Sequence, residues 1–471
     1  MNHADPHASL AARITEAGGA VPLLRGSNLG PYVFPGIPAE YTNWRDEVRA
    51  WKDSVALLEQ SYHMTELHLE GPGAIAFLKE FAVNKLDTFP VMRAKQLVLA
   101  APDGNLIADA IIFHEEEHFY RIVGAPFASD WLLYNAENTQ HEVKATKFDN
   151  WSAGVVPRDV YRIQLQGPNA MELMMRVTGG NVPEVRFFGI GEFQIAGKTV
   201  RGLRHGMAGT PGFELYGPWD EQTEVRAAIE EAGADLGLRK AGSLAYSTTA
   251  QESGWMPMPL PAIYSAPELQ EYREWLNGYY LESIGSLGGS LVSEDVADYY
   301  VDPIEVGYGN LIDWDREFMG RDALLAKRDN QRRTKVTLEW NDEDVAGIIA
   351  ASLFTGARED AEKPARYLAL PSPMYATFES DAVRSDGRTV GVSQWNSYSA
   401  NGGHVISTAV VDLEFAKPGT DLTLLWGEPD TRRATVDDHA MREIRVRVAP
   451  SPYFDKVIKS GDNDQVVAAA R

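Results

Sequence analysis

Short stretches in which polar and apolar residues alternate mark the N-terminal part of the chain, and such alternation is typical of half-buried β-strands. Residues 65–70 alternate in this way, Gly71-Pro72-Gly73 interrupts them, and residues 74–82 then place apolar side chains at helical spacing. The same order of strand, Gly-Pro and helix returns at residues 163–177 and 213–236. This recurrence predicts related α+β units whose spacing is too irregular for a solenoid repeat.

The pattern changes near Thr334, where short strand-like stretches are separated by turn residues. We therefore predict an α+β protein with two α+β subdomains at residues 1–330, a β-rich, barrel-like domain at residues 331–457 and a loose polar tail at residues 458–471. The predicted strands of the second domain are residues 336–340, 388–393, 404–411 and 422–426.

Composition and charge exclude several functional classes. The chain has 471 residues, with 44 Lys and Arg against 67 Asp and Glu, and hence a net charge of −23. This negative field disfavours nucleic acids and anionic membranes as partners, because both are bound through clustered basic residues. The sequence contains no cysteine, which excludes disulfides and thiol nucleophiles. Residues 1–21 lack the apolar core of a signal peptide and no apolar run reaches about 18 residues, so we expect a soluble cytoplasmic protein.

Two local motifs are more simply explained as turns. His114-Glu115-Glu116-Glu117-His118 fits the H-E-x-x-H signature of zinc proteases, which needs a helix to bring both imidazoles onto one face. Strand-forming residues flank the segment on both sides, so we predict an acidic hairpin turn and no metal site. Residues 285–290 are rich in glycine but lack the Lys-Ser/Thr ending of a phosphate-binding loop, and we predict a flexible turn there.

Several segments, in the same order along the chain, resemble the tetrahydrofolate-binding aminomethyltransferase (glycine cleavage T-protein) family. They are Gln60-Ser61-Tyr62-His63-Met64, Gly209-Thr210-Pro211-Gly212-Phe213-Glu214-Leu215, Glu252-Ser253-Gly254, Phe318-Met319-Gly320-Arg321-Asp322 and Gly391-Val392-Ser393. Within that fold, the sequence is most similar to the tetrahydrofolate-dependent aromatic O-demethylases, which include the vanillate/3-O-methylgallate and syringate enzymes of bacterial lignin catabolism. Position 246 separates the two groups, because aminomethyltransferases carry Arg-Asp there and this chain carries Tyr246-Ser247.

The resemblance implies methyl transfer from a methoxylated aromatic acid to N5 of tetrahydrofolate, giving a phenol and 5-methyltetrahydrofolate. Such acids include vanillate, syringate, 3-O-methylgallate and herbicides of the dicamba type. A tyrosine matches a phenol leaving group in pKa, so we expect Tyr246 to donate or relay the proton. We expect His63 and Gln60 to orient the phenolic oxygen or the Tyr246 hydroxyl.

The resemblance also implies a folate pocket. In that pocket Glu214 would bind the edge of the pterin, and Trp255 with Gln164 or Gln166 would line the walls. Asp109 matches the acid that approaches N5 in the aminomethyltransferases, and it would tune the protonation of that amine.

The substrate side departs from the family pattern. Ala125 stands where the vanillate enzymes carry an Arg that is expected to hold the substrate carboxylate. A bidentate Arg clamp has no neutral substitute, so Arg121 or Arg25 would replace it, or the substrate carries its carboxylate elsewhere on the ring or lacks one. The expected substrate-binding residues are Tyr32, Phe34, Tyr62, Ala125 and Arg121.

Three alternative functions follow from the same residues. The first is N- or S-methyl or aminomethyl transfer to tetrahydrofolate on the same fold, which Tyr246 disfavours because amines and sulfides leave without a phenol-matched acid. The second is a folate-binding regulatory or assembly protein without catalysis, which the presence of Tyr246, His63 and Gln60 together disfavours. The third is the zinc protease.

Overall fold

The structure, a computed structural model, describes residues 8–150, 158–207, 209–354 and 363–454. Within these residues the α-helices, α1 to α13 in chain order, are Leu10–Ala17, Ala20–Gly26, Trp44–Asp53, Ala74–Phe81, Pro126–Glu137, Ala170–Val177, Gln222–Ala232, Ser243–Tyr246, Thr249–Ser253, Gln270–Trp275, Leu281–Ile284, Arg321–Asp329 and Asp342–Leu353. Short 3₁₀ helices are Trp219–Glu221, Pro267–Leu269, Val296–Tyr299, Gly309–Leu311 and Leu413–Phe415.

The β-strands form two open sheets, a barrel and a two-stranded ladder. The strands, β1 to β19 in chain order, are Val55–Glu59, Thr65–Glu70, Arg93–Ala100, Leu106–Glu116, Phe119–Gly124, Lys144–Phe148, Val160–Gln166, Ile190–Ile195, Lys198–Arg204, Gly212–Pro218, Leu238–Ala241, Leu287–Gly288, Arg333–Trp340, Phe378–Glu379, Asp381–Ser385, Arg388–Ser399, His404–Asp412, Asp421–Trp426 and Arg442–Ala449.

The first sheet has the strand order β11-β1-β7-β10-β9-β8. Strand β7 alternates between two faces, so Ile163 and Leu165 join the apolar core under helices α6 and α7, whereas Arg162, Gln164 and Gln166 share the opposite face. The register pairs Glu214 of β10 with Gln164 of β7. The polar face of this sheet therefore carries a row of buried hydrogen-bonding groups.

The second sheet has the order β3-β4-β5-β2-β6 and packs against helices α4 and α5. The chain enters it directly from β1 of the first sheet, through residues 60–64. The hairpin predicted at His114–His118 is confirmed, because β4 ends at Glu116 and β5 begins at Phe119. The two imidazoles are not on one helical face, so the zinc-protease alternative is wrong.

A closed six-stranded barrel, in the order β13-β17-β16-β15-β18-β19, forms the C-terminal part of the described chain. The predicted α+β class with a barrel-like C-terminal domain is therefore confirmed. The flexible turn predicted at residues 285–290 is wrong, because Leu287–Gly288 pairs in parallel with Phe378–Glu379 and the whole segment is buried. The tail predicted at residues 458–471 lies outside the described residues.

Among the described residues, no helix has both the length and the apolar character that crossing a bilayer requires.

Candidate active site

An apolar cavity lies where the two open sheets meet the barrel. Its empty volume, which includes solvent space at the opening, is about 610 Å³. The loop after β1, the end of β5, the segment around α8 and α9, and strand β16 all contribute to the walls. Residues that line it include Tyr32, Phe34, Ala125, Met207, Met258 and Trp395.

Tyr246 presents its hydroxyl to two partners from the loop between the sheets. Gln60 Nε2 donates to the Tyr246 oxygen at 3.1 Å, and His63 Nε2 lies 3.0 Å from the same oxygen. The Phe34 ring lies against that of Tyr246, with centroids 4.5 Å apart. We call Tyr246, His63 and Gln60 the tyrosine cluster; the structure brings them together at the cavity wall, as the resemblance implied.

The tyrosine cluster is uncharged at neutral pH. Burial lowers the pKa of His63 to about 3, so its ring is neutral. Burial also raises the pKa of Tyr246 above its ordinary value; the hydrogen bond from Gln60 opposes this rise, and the charge of Glu214 adds to it. The Tyr246 hydroxyl therefore keeps its proton, and a neutral His63 in the tautomer protonated on Nδ1 would accept a hydrogen bond from it at Nε2.

Glu214 ends a buried chain of alternating charges. Arg162 Nη1 donates to Glu214 Oε1 at 2.6 Å, and Arg162 Nη2 donates to Glu66 Oε1 at 2.9 Å. Arg121 continues the chain by donating to Glu66 Oε2 at 2.6 Å and to Glu115 Oε1 at 2.9 Å. We call these five residues the ionic row. Burial alone would raise the pKa of Glu66, but Arg162 and Arg121 together hold it well below its ordinary value.

The polar face of the first sheet offers acceptors that fit the edge of a pterin. Gln164 Nε2 donates to the backbone oxygen of His205 at 2.9 Å, while its buried Oε1 has no hydrogen-bond partner among the described residues. No described group donates to Oε2 of Glu214, which faces Gln164 in register. Gln166 lies fully buried on the same face. Such acceptors match the amino and amide N–H groups of a pterin ring.

Asp109 holds Trp255 in place at the cavity wall. Its Oδ2 accepts hydrogen bonds from Trp255 Nε1 at 2.8 Å, from Gln96 Nε2 at 2.8 Å and from Tyr308 at 2.5 Å. Burial raises the pKa of Asp109, and the bonds from Tyr308 and Trp255 oppose that rise. The three hydrogen bonds to one oxygen stabilise the ionised carboxylate. Through one of them, Asp109 positions the Trp255 ring.

Two expected substrate-binding residues lie away from the cavity. Arg121 is 5% exposed and its guanidinium is used by the ionic row, so it is corrected from a carboxylate clamp to a structural ion-pair partner. The Tyr62 ring packs edge-on against Trp219 and under Arg158, which corrects its assignment as a substrate contact. Arg25 donates through Nη1 and Nη2 to the backbone oxygens of Gly289 and Leu291.

Other residues at the site had not been predicted. Trp395 reaches the cavity from barrel strand β16, and Tyr308 reaches Asp109 from far along the chain. Arg162, which links Glu66 to Glu214, directly precedes the predicted strand and was given no role. The available signal was the alternation of polar residues, which places Arg162 on the same face as Gln164 and Gln166, whereas nothing local marks Trp395.

Several known proteins are similar to this chain in sequence. The profile of the GCVT N-terminal domain family matches residues 16–258. The chain is 40% identical over 450 residues to a syringate O-demethylase from Sphingobium sp. strain SYK-6, covering 94% of this chain and 96% of that relative. It is 29% identical to a sesamin methylene transferase from Sinomonas sp. strain No.22, with 90% and 91% of the two chains covered.

The fold also has a counterpart among solved structures. The glycine cleavage system aminomethyltransferase T from Bartonella henselae superposes with a TM-score of 0.59 at 16% identity, over 92% of this chain and 96% of that one. This likeness concerns the fold alone. From the profile match and the full-length relative, the chain belongs to the GCVT family.

Proposed function

We propose that the protein is a tetrahydrofolate-dependent O-demethylase, which transfers the methyl group of a methoxylated aromatic compound to N5 of tetrahydrofolate and releases a phenol. The observation that carries this proposal is the Tyr246 hydroxyl, held by Gln60 and His63 at the wall of an apolar cavity. The syringate O-demethylase that matches nearly the whole chain supports it.

Tyr246 supplies what an aryl ether lacks as a methyl donor. Phenolate is a reluctant leaving group, and a proton on its oxygen makes departure easier. Burial raises the pKa of the Tyr246 hydroxyl, and it would raise the pKa of a phenol held in the same apolar cavity as well. Because the two hydroxyls are chemically alike and would share one environment, proton transfer between them is nearly balanced. Tyr246 would be protonated again at the end of each turnover, since bound tetrahydrofolate would give up one proton for each proton that the phenol gains.

Gln60 and His63 orient that proton. Because the Gln60 amide donates to the Tyr246 oxygen, the hydroxyl hydrogen is directed away from Gln60. A neutral His63 holds the hydrogen until a more basic oxygen develops in the cavity. Phe34, which lies against the Tyr246 ring, limits its rotation and keeps the hydroxyl aimed at one place.

The residues that would hold the cofactor lie on the polar face of the first sheet. Glu214 and Gln164 would accept hydrogen bonds from the pterin edge, with Gln166 beside them, and Trp255 would form the wall next to the ring. When bound, tetrahydrofolate supplies the nitrogen that accepts the methyl group. Asp109 keeps Trp255 in position through its hydrogen bond to the indole.

The test is a panel of methoxylated aromatics incubated with the purified protein and tetrahydrofolate. We expect equal amounts of phenol and 5-methyltetrahydrofolate from at least one compound and no product without the cofactor. Formaldehyde in place of methylfolate, or methylfolate formed from N- or S-methyl donors but never from aryl ethers, would refute the proposal. The second of these results would favour the N- or S-methyl transfer alternative.

A further inference from the structure

The lining of the cavity carries no charged side chain. No described residue that lines it is Lys, Arg, Asp or Glu, and its histidine, His63, is neutral at pH 7. Its walls are instead formed mainly by aromatic, methionine, alanine and proline side chains, and the hydroxyls among the lining residues belong to Tyr32, Tyr246, Ser247 and Thr249. The hydroxyls of Ser247 and Thr249 are bonded to Ser372 and to the backbone oxygen of Tyr246. Tyr32 is itself engaged, because it donates to the backbone oxygen of His63.

The two arginines expected as clamps, Arg121 and Arg25, are held by other partners, and so is Arg162 of the first sheet. Arg121 and Arg162 are each fixed by buried carboxylates of the ionic row. Arg25 is bonded to two backbone oxygens. Moving any of these guanidinium groups to a substrate anion would leave buried partners without their hydrogen bonds, which is strongly unfavourable.

Backbone amides do not replace the missing cation. Helix α5 begins behind Ala125, but Pro126 at its first position has no N–H. Gly124 and Ala125 line the cavity, whereas no residue of α5 itself is among the lining residues. An anion in the cavity would therefore meet apolar surface beside Ala125, in a protein whose net charge is already −23.

We propose that the substrate is an uncharged methoxylated aromatic, such as a methoxyphenol or an aryl methyl ether without a carboxylate group, and this inference rests on the proposed function. An uncharged ring gains from burial against Phe34, Met258 and Trp395. An ionised carboxylate would lose its hydration without finding a partner. The cavity thus selects by charge as well as by shape.

The test compares three compounds with the same two methoxy groups: syringate, its methyl ester and 2,6-dimethoxyphenol. The ester is larger than the acid by one methyl group, 2,6-dimethoxyphenol is smaller than the acid, and both lack its charge, so the two neutral compounds bracket syringate in size and together isolate charge. With the unaltered protein and saturating tetrahydrofolate, we expect kcat/KM for both neutral compounds to exceed that for syringate by about tenfold or more. The corresponding single-methoxy set, vanillate, methyl vanillate and 2-methoxyphenol, is measured in the same way.

Binding of the six compounds, measured by calorimetry without cofactor, separates this inference from the proposed function. Turnover in which the acids equal or exceed the esters overturns the inference and leaves the proposed function intact. Tighter binding of the neutral compounds without any methyl transfer contradicts the proposed function but agrees with the selectivity. If neither neutral compound binds nor reacts in either set, the inference is wrong.

A gain-of-charge variant gives a second, independent measurement. Ala125→Arg places a guanidinium at the cavity wall, and we expect it to raise kcat/KM for syringate relative to the ester by about tenfold. Ala125→Met, which is similar in length but uncharged, should leave that ratio unchanged. A ratio that moves equally in both variants would show that size rather than charge governs the preference.

Discussion

Two polar regions are buried in the part of the molecule formed by the open sheets, one of them at the cavity wall, and they differ in charge. The ionic row alternates carboxylates and guanidiniums at 2.6–2.9 Å across both open sheets. The tyrosine cluster has no ionised group at neutral pH and is surrounded by apolar side chains. The contrast indicates that this fold tolerates buried charge where each charge meets its opposite, and keeps the proposed site of chemistry neutral so that the Tyr246 proton is not lost to a neighbour.

The largest effect should come from breaking the ionic row in its middle. Arg162→Met leaves Glu66 and Glu214 buried without their shared partner, and we expect a loss of about 4 kcal/mol in the free energy of unfolding. Urea denaturation measures it. The matched control is Arg201→Met, since Arg201 is partly exposed and donates to Glu115 at the far end of the row; its loss should be about 1 kcal/mol or less. Equal losses would mean that the row does not act as a chain of paired charges.

Removing one hydroxyl group from the tyrosine cluster should have the second-largest effect. We expect Tyr246→Phe to lower kcat by about 10²- to 10³-fold, because the departing phenolate loses its proton donor, with unchanged tetrahydrofolate affinity and folding. Phenol release in assays stopped at fixed times measures kcat. Tyr32→Phe removes another buried hydroxyl from the same cavity and should cost less than about tenfold. Near-full kcat in the Tyr246 variant would rule out the proton-donor role.

Much of the fold could be predicted because its signals are local. The alternation at residues 65–70 matches β2 residue for residue, and helix α4 ends one residue before the predicted end at residue 82. Barrel strand β19 was missed although Arg442–Ala449 alternates clearly. The two-residue strand at Leu287–Gly288 carries no such signal, because its partner lies about ninety residues away along the chain.

The site was predicted less completely, because its side chains pair with residues that are distant in the sequence. Tyr246, His63 and Gln60 were found through the resemblance, and the fold brings them within hydrogen-bond distance; their catalytic roles stay predictions. Arg121 was misassigned because a sequence shows a charge but not what neutralises it. Its partners Glu66 and Glu115 come from two different strands, and only the register of β2, β4 and β5 brings them together.

The neutrality of the tyrosine cluster predicts a pH dependence of stability. The pKa of His63 falls from 6.5 to about 3 on folding, so the unfolded chain binds more protons between these values and stability falls as the pH is lowered. From pH 7 to pH 5 the contribution of this one group is about 2 kcal/mol. Between pH 7 and pH 5, the free energy of unfolding of His63→Gln should therefore fall by about 2 kcal/mol less than that of the unaltered chain. Unfolding experiments at both pH values measure this difference. An unchanged dependence of stability on pH in His63→Gln would contradict a neutral His63.

The smallest expected effect concerns Glu214, the residue of the ionic row that we propose to bind the cofactor. Glu214→Gln keeps an acceptor for Arg162 but removes the charge that would bind the pterin N–H groups, so we expect tetrahydrofolate to bind about tenfold more weakly. Calorimetric titration measures this, with Glu192→Gln on the exposed part of the same sheet as the control. Because the role proposed for Glu214 is to bind the cofactor and not the leaving oxygen, we expect kcat at saturating tetrahydrofolate to change little. Unchanged affinity would instead assign Glu214 to the ionic row alone, and the acceptor for the pterin edge would then have to be Gln164 or Gln166.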